Sequence, residues 1–427
     1  MRATSCSEDH KGITICPICF HLIPSLCCAS GPTRACPSGD LMKLSDYDMS
    51  ASRGFLSHFQ IVDIDLPDFF APIVGTAENL SGLMTTGRVR HWLEQLPVLD
   101  LADWAANAPE EQVRVAMVRY SFLVQAYVWG ESEAPTTLPA NLARPMVALA
   151  ERLDQAPLLP YSGYVLDNWA QLDRDGPITL DNVYMVQNFY GGADENWFVL
   201  IHVAIEAAAA PLLDLACHLV EAARAEDTGS ATALLQEMDE HWDAVNAIFD
   251  RMPDRCDPYI YYQRVRPYIH GWANNPALPD GLIYEGVEKY QGKGQIFCGQ
   301  TGSQSSIVPS MDALFQVQHG NDPLRSFLDE LHAYRPVKHR RFIEDLREQS
   351  TLREYAIASG DAALRQAFNA SVEQVARFRT RHLEYAASYI NKQAISGKGN
   401  DTEVGTGGTP FMKYLKKHRD ENRAQLI

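Results

Sequence analysis

The chain has 427 residues, 46% of them hydrophobic and 21% charged, with a formal charge of −17 at neutral pH. That length suggests two or three domains with a large core. The acidity argues against a nucleic-acid-binding surface, which needs clustered positive charge.

Six of the nine cysteines fall in the first 36 residues. Cys16-Pro-Ile-Cys19 with His10 and His21 reads as half a zinc site, but no second CxxC follows at finger spacing. Gly12 to Pro32 also has a weak likeness to a signal peptide, against which Pro17, His21 and Pro24 count. Residues 1–40 are therefore expected to be a disordered or non-native extension. Cys217, Cys256 and Cys298 are too scattered for a disulfide framework, which favours a reducing, cytoplasmic location.

A small, mixed N-terminal domain is expected over 41–187. Leu66 to Gly75 reads as extended, and helices are predicted at Val113 to Trp129 and Asn141 to Leu153. Tyr161, Tyr164 and Trp169 cluster after a proline-rich turn, and by spacing alone they are core packing. A large helical domain over 188–427 starts after Gly191-Gly192, so the fold class is mainly α. Asp194 or Asn196 should cap a helix that carries Phe198, Ile201, His202, Ile205 and Ala209 on one face, with a bend at Pro211. The apolar run from Trp197 to Val220 contains Glu206, Pro211 and Asp214, so it reads as a buried helix and no membrane span is expected. Further helices are predicted at Ala231 to Arg251, Tyr259 to Ile269, Met311 to His319, Pro323 to Ala333 and Ala362 to Phe368.

Ser371 to Ile390 reads as one helix, with Ser371 and Gln374 as a capping box and Asn391 as its stop. Val372, Val375, Phe378, His382, Tyr385, Ala386 and Tyr389 share a face, and His382 is the one metal donor on it. A neutral imidazole there, with Arg377, Arg379 and Arg381 near, suits an axial haem ligand, although a hydrogen-bonded core histidine fits the same spacing. Gln393 to Thr409 has five glycines and should be a loop before a terminal helix from Phe411. There is no P-loop, HExxH or nucleophile elbow.

Longer motifs carry a resemblance from about Leu41 to the C-terminus. AYVWGE (Ala126 to Glu131), LPYSGYVLDNW (Leu159 to Trp169), FVLIHVAIEAAAA (Phe198 to Ala210), RVRPYIHGWANNPALPDGLIYEGV (Arg264 to Val287), GQTGSQSS (Gly299 to Ser306), YRPVKHRRFI (Tyr334 to Ile343) and GTGGTPFMKYLK (Gly405 to Lys416) resemble the indoleamine 2,3-dioxygenases. The resemblance implies a haem b enzyme that inserts O₂ across the indole C2–C3 bond of L-tryptophan to give N-formylkynurenine, with a reductant to keep the iron ferrous. It makes His382 the proximal iron ligand and puts Arg379, Asp312 and Gly302 around the haem. It assigns Tyr161, Tyr164, Val165, Phe198, Tyr261, Tyr262, Thr301 and Gly302 to the substrate pocket, Arg266 to the substrate carboxylate, and Thr406 to a closing lid. Arg264 is the neighbour that could be confused with Arg266.

The chain departs from the animal members at His202, where serine is usual, and at Tyr261 and Tyr262, where phenylalanines stand. His202 resembles the distal histidine of tryptophan 2,3-dioxygenases, and it could hydrogen-bond the indole N–H, coordinate the iron or simply pack. Another indole derivative is the alternative substrate. A non-catalytic haem sensor or carrier is the alternative class, though it would need neither Arg266 nor a glycine lid.

Overall fold

The computed structural model describes residues 42–320, 323–395 and 411–427. The 1–40 extension and the glycine-rich lid with Thr406 lie outside the described residues. The described chain is mainly helical, with short strands.

Helix α1 (Glu110–Trp129) buries every residue from Val115 to Val128. A helix covered on all sides has to find hydrogen-bond partners for its polar side chains inside the protein, and Arg119 and Gln125 do so in part. Arg119 Nη1 donates to Gln187 Oε1 at 2.6 Å, and Gln125 Nε2 donates to the His270 carbonyl at 3.2 Å. Helix α2 (Ala140–Leu153) packs on α1.

Helix α3 (Ala193–Ala208) starts at Gly192, whose φ of 98° ends the preceding turn, so neither Asp194 nor Asn196 is the cap. The Glu195 carboxylate instead accepts the N–H groups of Phe189, Tyr190 and Gly191 at 2.7–3.0 Å. Asp194 is turned away and accepts the Asp257 N–H. The expected bend is a break at Ala209, beyond which helix α4 (Ala210–Arg224) carries Pro211 in its first turn, where a missing N–H costs nothing. By length and composition Ala193–Arg224 could cross a membrane, but 67% of its most apolar window is buried in the protein, as expected of a core helix pair.

Helix α5 (Thr228–Asp250) packs against α4 and later elements, and helix α6 (Ile307–Leu314) packs against α7 (Val337–Gln349). Helix α8 (Ala362–Ala386) lies between α5 and the C-terminal α9 (Phe411–Arg423). The expected start of α8 at Ser371 is wrong, because Asp361 caps the helix by accepting the Leu364 N–H at 2.8 Å. Ser371 is buried in mid-helix and donates to the Leu235 carbonyl of α5. Gln374 reaches Asp243 instead of closing a capping box. A serine with a tertiary acceptor has no need to terminate its own helix. Asn391 is not a stop either, since the chain runs through a π-helical turn (Ala387–Asn391) to Ile395.

Other local expectations fail for similar reasons. Leu66 to Gly75 is a 3-10 turn leading into a helix (Ala71–Glu78). The predicted Met311 to His319 helix ends at Leu314, and Gln316 turns the chain with a φ of 55°. Strand β1 (Thr137–Leu138) pairs parallel with β4 (Leu282–Tyr284), which pairs antiparallel with β5 (Gly294–Gln295). β4 and β5 thus put strands in the part expected to be all helix. Strands β2 (Trp169–Gln171) and β3 (Val183–Met185) form a separate antiparallel pair, with Ala170 opposite Tyr184. Residues Met42–Ile427 form one unit by contact, and we keep the division near 187 as a proposal about folding units.

Before β4, Trp272 and Ala273 both donate their N–H to the carbonyl of Phe297, which follows β5, at 2.9 Å, locking two segments side by side. A Cβ on Gly271 would lie 2.2 Å from the Gly299 nitrogen and 2.4 Å from the Phe297 carbonyl oxygen, both backbone atoms. Gly271→Ala should therefore destabilise the protein by about 3 kcal/mol in chemical denaturation. Gly75→Ala, in a helix with nothing within 4 Å of the added Cβ, should be neutral or gain about 0.5 kcal/mol.

Candidate active site

A cavity of about 520 Å³ opens between α3, α8, the Tyr261 segment and the Gln300–Ser305 loop. That size is in the range of cofactor and small-molecule sites. Three π-helical turns lie around it: Ser162–Leu166, Tyr261–Val265 and Ala387–Asn391. Each adds a residue to a helical turn and re-aims the side chains beside it. Tyr161, Tyr261, Tyr389 and Ile390 reach the wall from these turns. The predicted single helix Tyr259 to Ile269 is in fact a short α turn, the second π turn and a 3-10 turn.

His202 from α3 and His382 from α8 both line the cavity and keep part of their surface open to it. The His202 Nδ1–H donates to the Phe198 carbonyl, one turn back, at 2.7 Å. This leaves Nε2 as the unprotonated nitrogen, and a Cβ built on Gly302 would lie 3.9 Å from it. Burial lowers the His202 pKa, so the ring is neutral. Burial first, then the neighbouring His202 and Arg379, bring His382 down to about 4. His382 makes no hydrogen bond or ion pair among the described residues, and its ring edges against Phe249 at 6.3 Å. A neutral, unengaged imidazole on a cavity wall has the chemistry of an axial ligand, so these residues fit the haem that the resemblance implies.

Charge is gathered at one end. Arg379 grips Asp312 with two hydrogen bonds, Nη1 to Oδ1 at 3.1 Å and Nη2 to Oδ2 at 2.6 Å. Burial would raise the Asp312 pKa, but Arg379 and His319 more than offset this and hold it well below the carboxylate range. Arg335, buried behind the loop, donates to the carbonyls of Ser303 at 2.7 Å and Ser305 at 3.3 Å.

One turn beyond His202, Glu206 is buried, and its Oε1 accepts from the Tyr161 hydroxyl and from Ser305 Oγ, each at 2.8 Å. Its Oε2 has no partner. Burial pushes this carboxyl up to about 7, against the opposing pull of the two hydroxyl donors. Gln304 Oε1 also accepts the Tyr161 N–H at 3.0 Å, so loop and aromatic wall are tied together twice.

Of the residues singled out from sequence, Tyr161, Phe198, His202, Tyr261, Thr301, Gly302, Asp312, Arg379 and His382 meet at the cavity. Tyr164, Val165, Tyr262 and Arg266 are fully buried and do not line it. The Arg266 guanidinium lies 5.4 Å from the centre of the Tyr262 ring, and burial first and then its charge lower the pKa of His270, while against the larger effect of burial the same charge lowers that of Tyr261. Sequence reasoning missed Glu206, Ser305, His319 and His418. Only Glu206 gave a signal, as a lone acid one turn after His202 on an apolar helix.

The indoleamine 2,3-dioxygenase family profile matches residues 43–425. Among its relatives, the chain is 32% identical over 397 residues to indoleamine 2,3-dioxygenase 1 of Rattus norvegicus, covering 90% of this chain and 96% of that one. It is 30% identical to indoleamine 2,3-dioxygenase 2 of Homo sapiens, with the same coverage. It is 29% identical to indoleamine 2,3-dioxygenase of Saccharomyces cerevisiae, covering 82% of this chain and 85% of the relative.

Because the Glu206 carboxyl is raised in the folded protein from 4.5 to about 7, the unfolded chain loses that proton first, and stability falls as pH rises across this window. Glu206→Gln should remove the dependence. Comparing denaturation of wild type and variant, the variant should gain about 3 kcal/mol relative to wild type between pH 4.5 and pH 8. A constant difference across that range would contradict the assignment.

Proposed function

The chain belongs to the indoleamine 2,3-dioxygenase family, and on that premise we propose that it converts L-tryptophan and O₂ to N-formylkynurenine as a haem-dependent dioxygenase. The observation that carries this reading is the pair of neutral histidines on one cavity, His382 without a hydrogen bond and His202 with its Nε2 lone pair available. Haem, when bound, supplies the ferrous iron that activates O₂. His382 would hold the iron, and Arg379, kept in place by Asp312, would face the haem carboxylates.

The remaining work falls to positioning. His202 Nε2 would accept the indole N–H and orient the ring, while Phe198 and Tyr261, with ring centres 4.8 Å apart and planes tilted by 40°, supply aromatic walls. Arg266 would attract the substrate carboxylate from its buried position, with Thr406 closing on the polar end. Thr301 and Gly302 would line the near side, where the absence of a side chain on Gly302 leaves room beside His202. A cytoplasmic setting agrees with Cys217, Cys256 and Cys298 being free thiols. A cellular reductant would keep the iron ferrous. A second reading, dioxygenation of another indole derivative, is favoured by the Tyr261 side chain and His202, which together make the wall more polar than phenylalanine and serine would.

The reading is tested by supplying the reduced haem protein with L-tryptophan and labelled O₂. N-formylkynurenine carrying both labelled atoms is expected, and no turnover with tryptophan but turnover with a substituted indole would select the second reading. His382→Ala should lose nearly all bound haem, read from the Soret absorbance per chain. His202→Ser should retain haem and some activity. Between tryptophan and 1-methyltryptophan, wild type should lose about tenfold more kcat/KM than His202→Ser, since removing a donor matters only where an acceptor waits for it. Equal losses in both proteins would remove His202 from substrate orientation.

A further inference from the structure

Apart from the two histidines of the cavity centre, a second donor cluster stands at its charged end. We infer that His319, His418 and Glu421 form a site for a divalent transition-metal cation of the zinc type. One ligand atom from each lies within 4.8 Å of the other two. His418 and Glu421 are three residues apart on α9, the spacing that puts two donors on one helix face. His319 comes from the turn after α6, some hundred residues earlier, so the set is invisible as a sequence motif.

Three details favour a cation. His418 is 8% exposed, and its buried Nε2 has no hydrogen-bond partner among the described residues. A buried, unpaired imidazole nitrogen costs free energy that a ligand would recover. His319 Nε2 faces Asp312 Oδ2 at 3.4 Å, the arrangement in which a carboxylate fixes a metal-binding histidine from behind, and Nδ1 is left to face Glu421 Oε2 at 2.7 Å. Glu421 Oε1 is occupied by the Gly320 N–H and the Lys417 ammonium, so Oε2 is the oxygen available.

Two imidazoles and one carboxylate, with a fourth position for water, make a zinc-like donor set, whereas calcium and magnesium prefer oxygen alone. The Arg379 charge nearby is neutralised by Asp312. The cation replaces the proton between His319 Nδ1 and Glu421 Oε2, so one proton leaves when it binds. The two atoms must part to about 3.3 Å for tetrahedral ligands at zinc distances. Glu421 is about 15% exposed at its side chain and His319 about 10%, which gives the small opening needed for entry. The bound cation would staple α9 to the turn after α6, beside the Arg379–Asp312 pair.

The test uses the full, haem-loaded chain with zinc chloride, reading zinc and iron per chain by elemental mass spectrometry. Because the N-terminal cysteines can take zinc themselves, the difference between proteins is what is read. His418→Ala and Glu421→Gln should each lose about one zinc and bind it at least ~10-fold more weakly, with iron content unchanged. Glu421→Gln keeps an acceptor for the Gly320 N–H. Cys16→Ser with Cys19→Ser should leave this zinc in place, with only nitrogen and oxygen neighbours in X-ray absorption. Equal zinc in wild type and both variants, or sulfur ligation alone, would overturn the site and leave an ion-pair network.

Discussion

A cavity of about 520 Å³ inside a helical core forfeits the packing contacts that would otherwise fill it, so its walls must be held from behind. Much of the surrounding structure meets that demand. Tyr164 packs between Phe122, Phe189 and Phe198 with ring centres 5.8–6.5 Å apart, a rigid aromatic backing for the Phe198 wall. Phe249 and Phe378, which also line the cavity, stack at 4.7 Å, and Phe249 meets the edge of His382. The loop wall has no such aromatic layer and is held by polar ties, from Glu206, Gln304 and Arg335.

Electrostatics divides the same wall. His202 and His382 sit where burial keeps imidazole neutral and their nitrogen lone pairs available. The ions lie together at the end marked by Arg379, Asp312, His319 and Glu421, where each charge has a partner of opposite sign. Breaking one such buried pair leaves an uncompensated charge, at a cost of about 3–5 kcal/mol. The pairing therefore fixes α8, α9 and the turn after α6 relative to one another. It also keeps the Arg379 charge largely compensated, so the neutral state of His382 depends mainly on its burial.

The three π turns explain how one wall can collect tyrosines from distant segments. An α-helix sends side chains out at a fixed angle, and Tyr161, Tyr261 and Tyr389 come from three separate segments, each at or within a π turn. An extra residue in a turn adjusts the angle locally without moving the helix. The first turn is fully buried, and the third is anchored by Tyr389, whose hydroxyl donates to the Cys256 carbonyl at 2.7 Å.

The mainly helical class, the burial of Ala193–Arg224 and the shared face of His382 with Val372 and Val375 were legible in the sequence, because each rests on a 3.6-residue period that the chain carries locally. The family could be read from long ordered motifs, and with it nine of the residues that line the cavity. What the period could not reveal was where a local rule would yield to a neighbour. Ser371 looked like a cap until the Leu235 carbonyl took its hydroxyl, and Tyr259 to Ile269 looked like one helix until packing inserted the π turn. Nor could it show that Arg266 is buried away from the cavity, that Glu206 ties Tyr161 to Ser305, or that His319 meets His418 and Glu421. Those are contacts between segments far apart in the chain. The sequence determined which faces are apolar and which side chains carry chemistry, and only the tertiary structure decided which of them meet, because that choice depends on how all the faces pack at once.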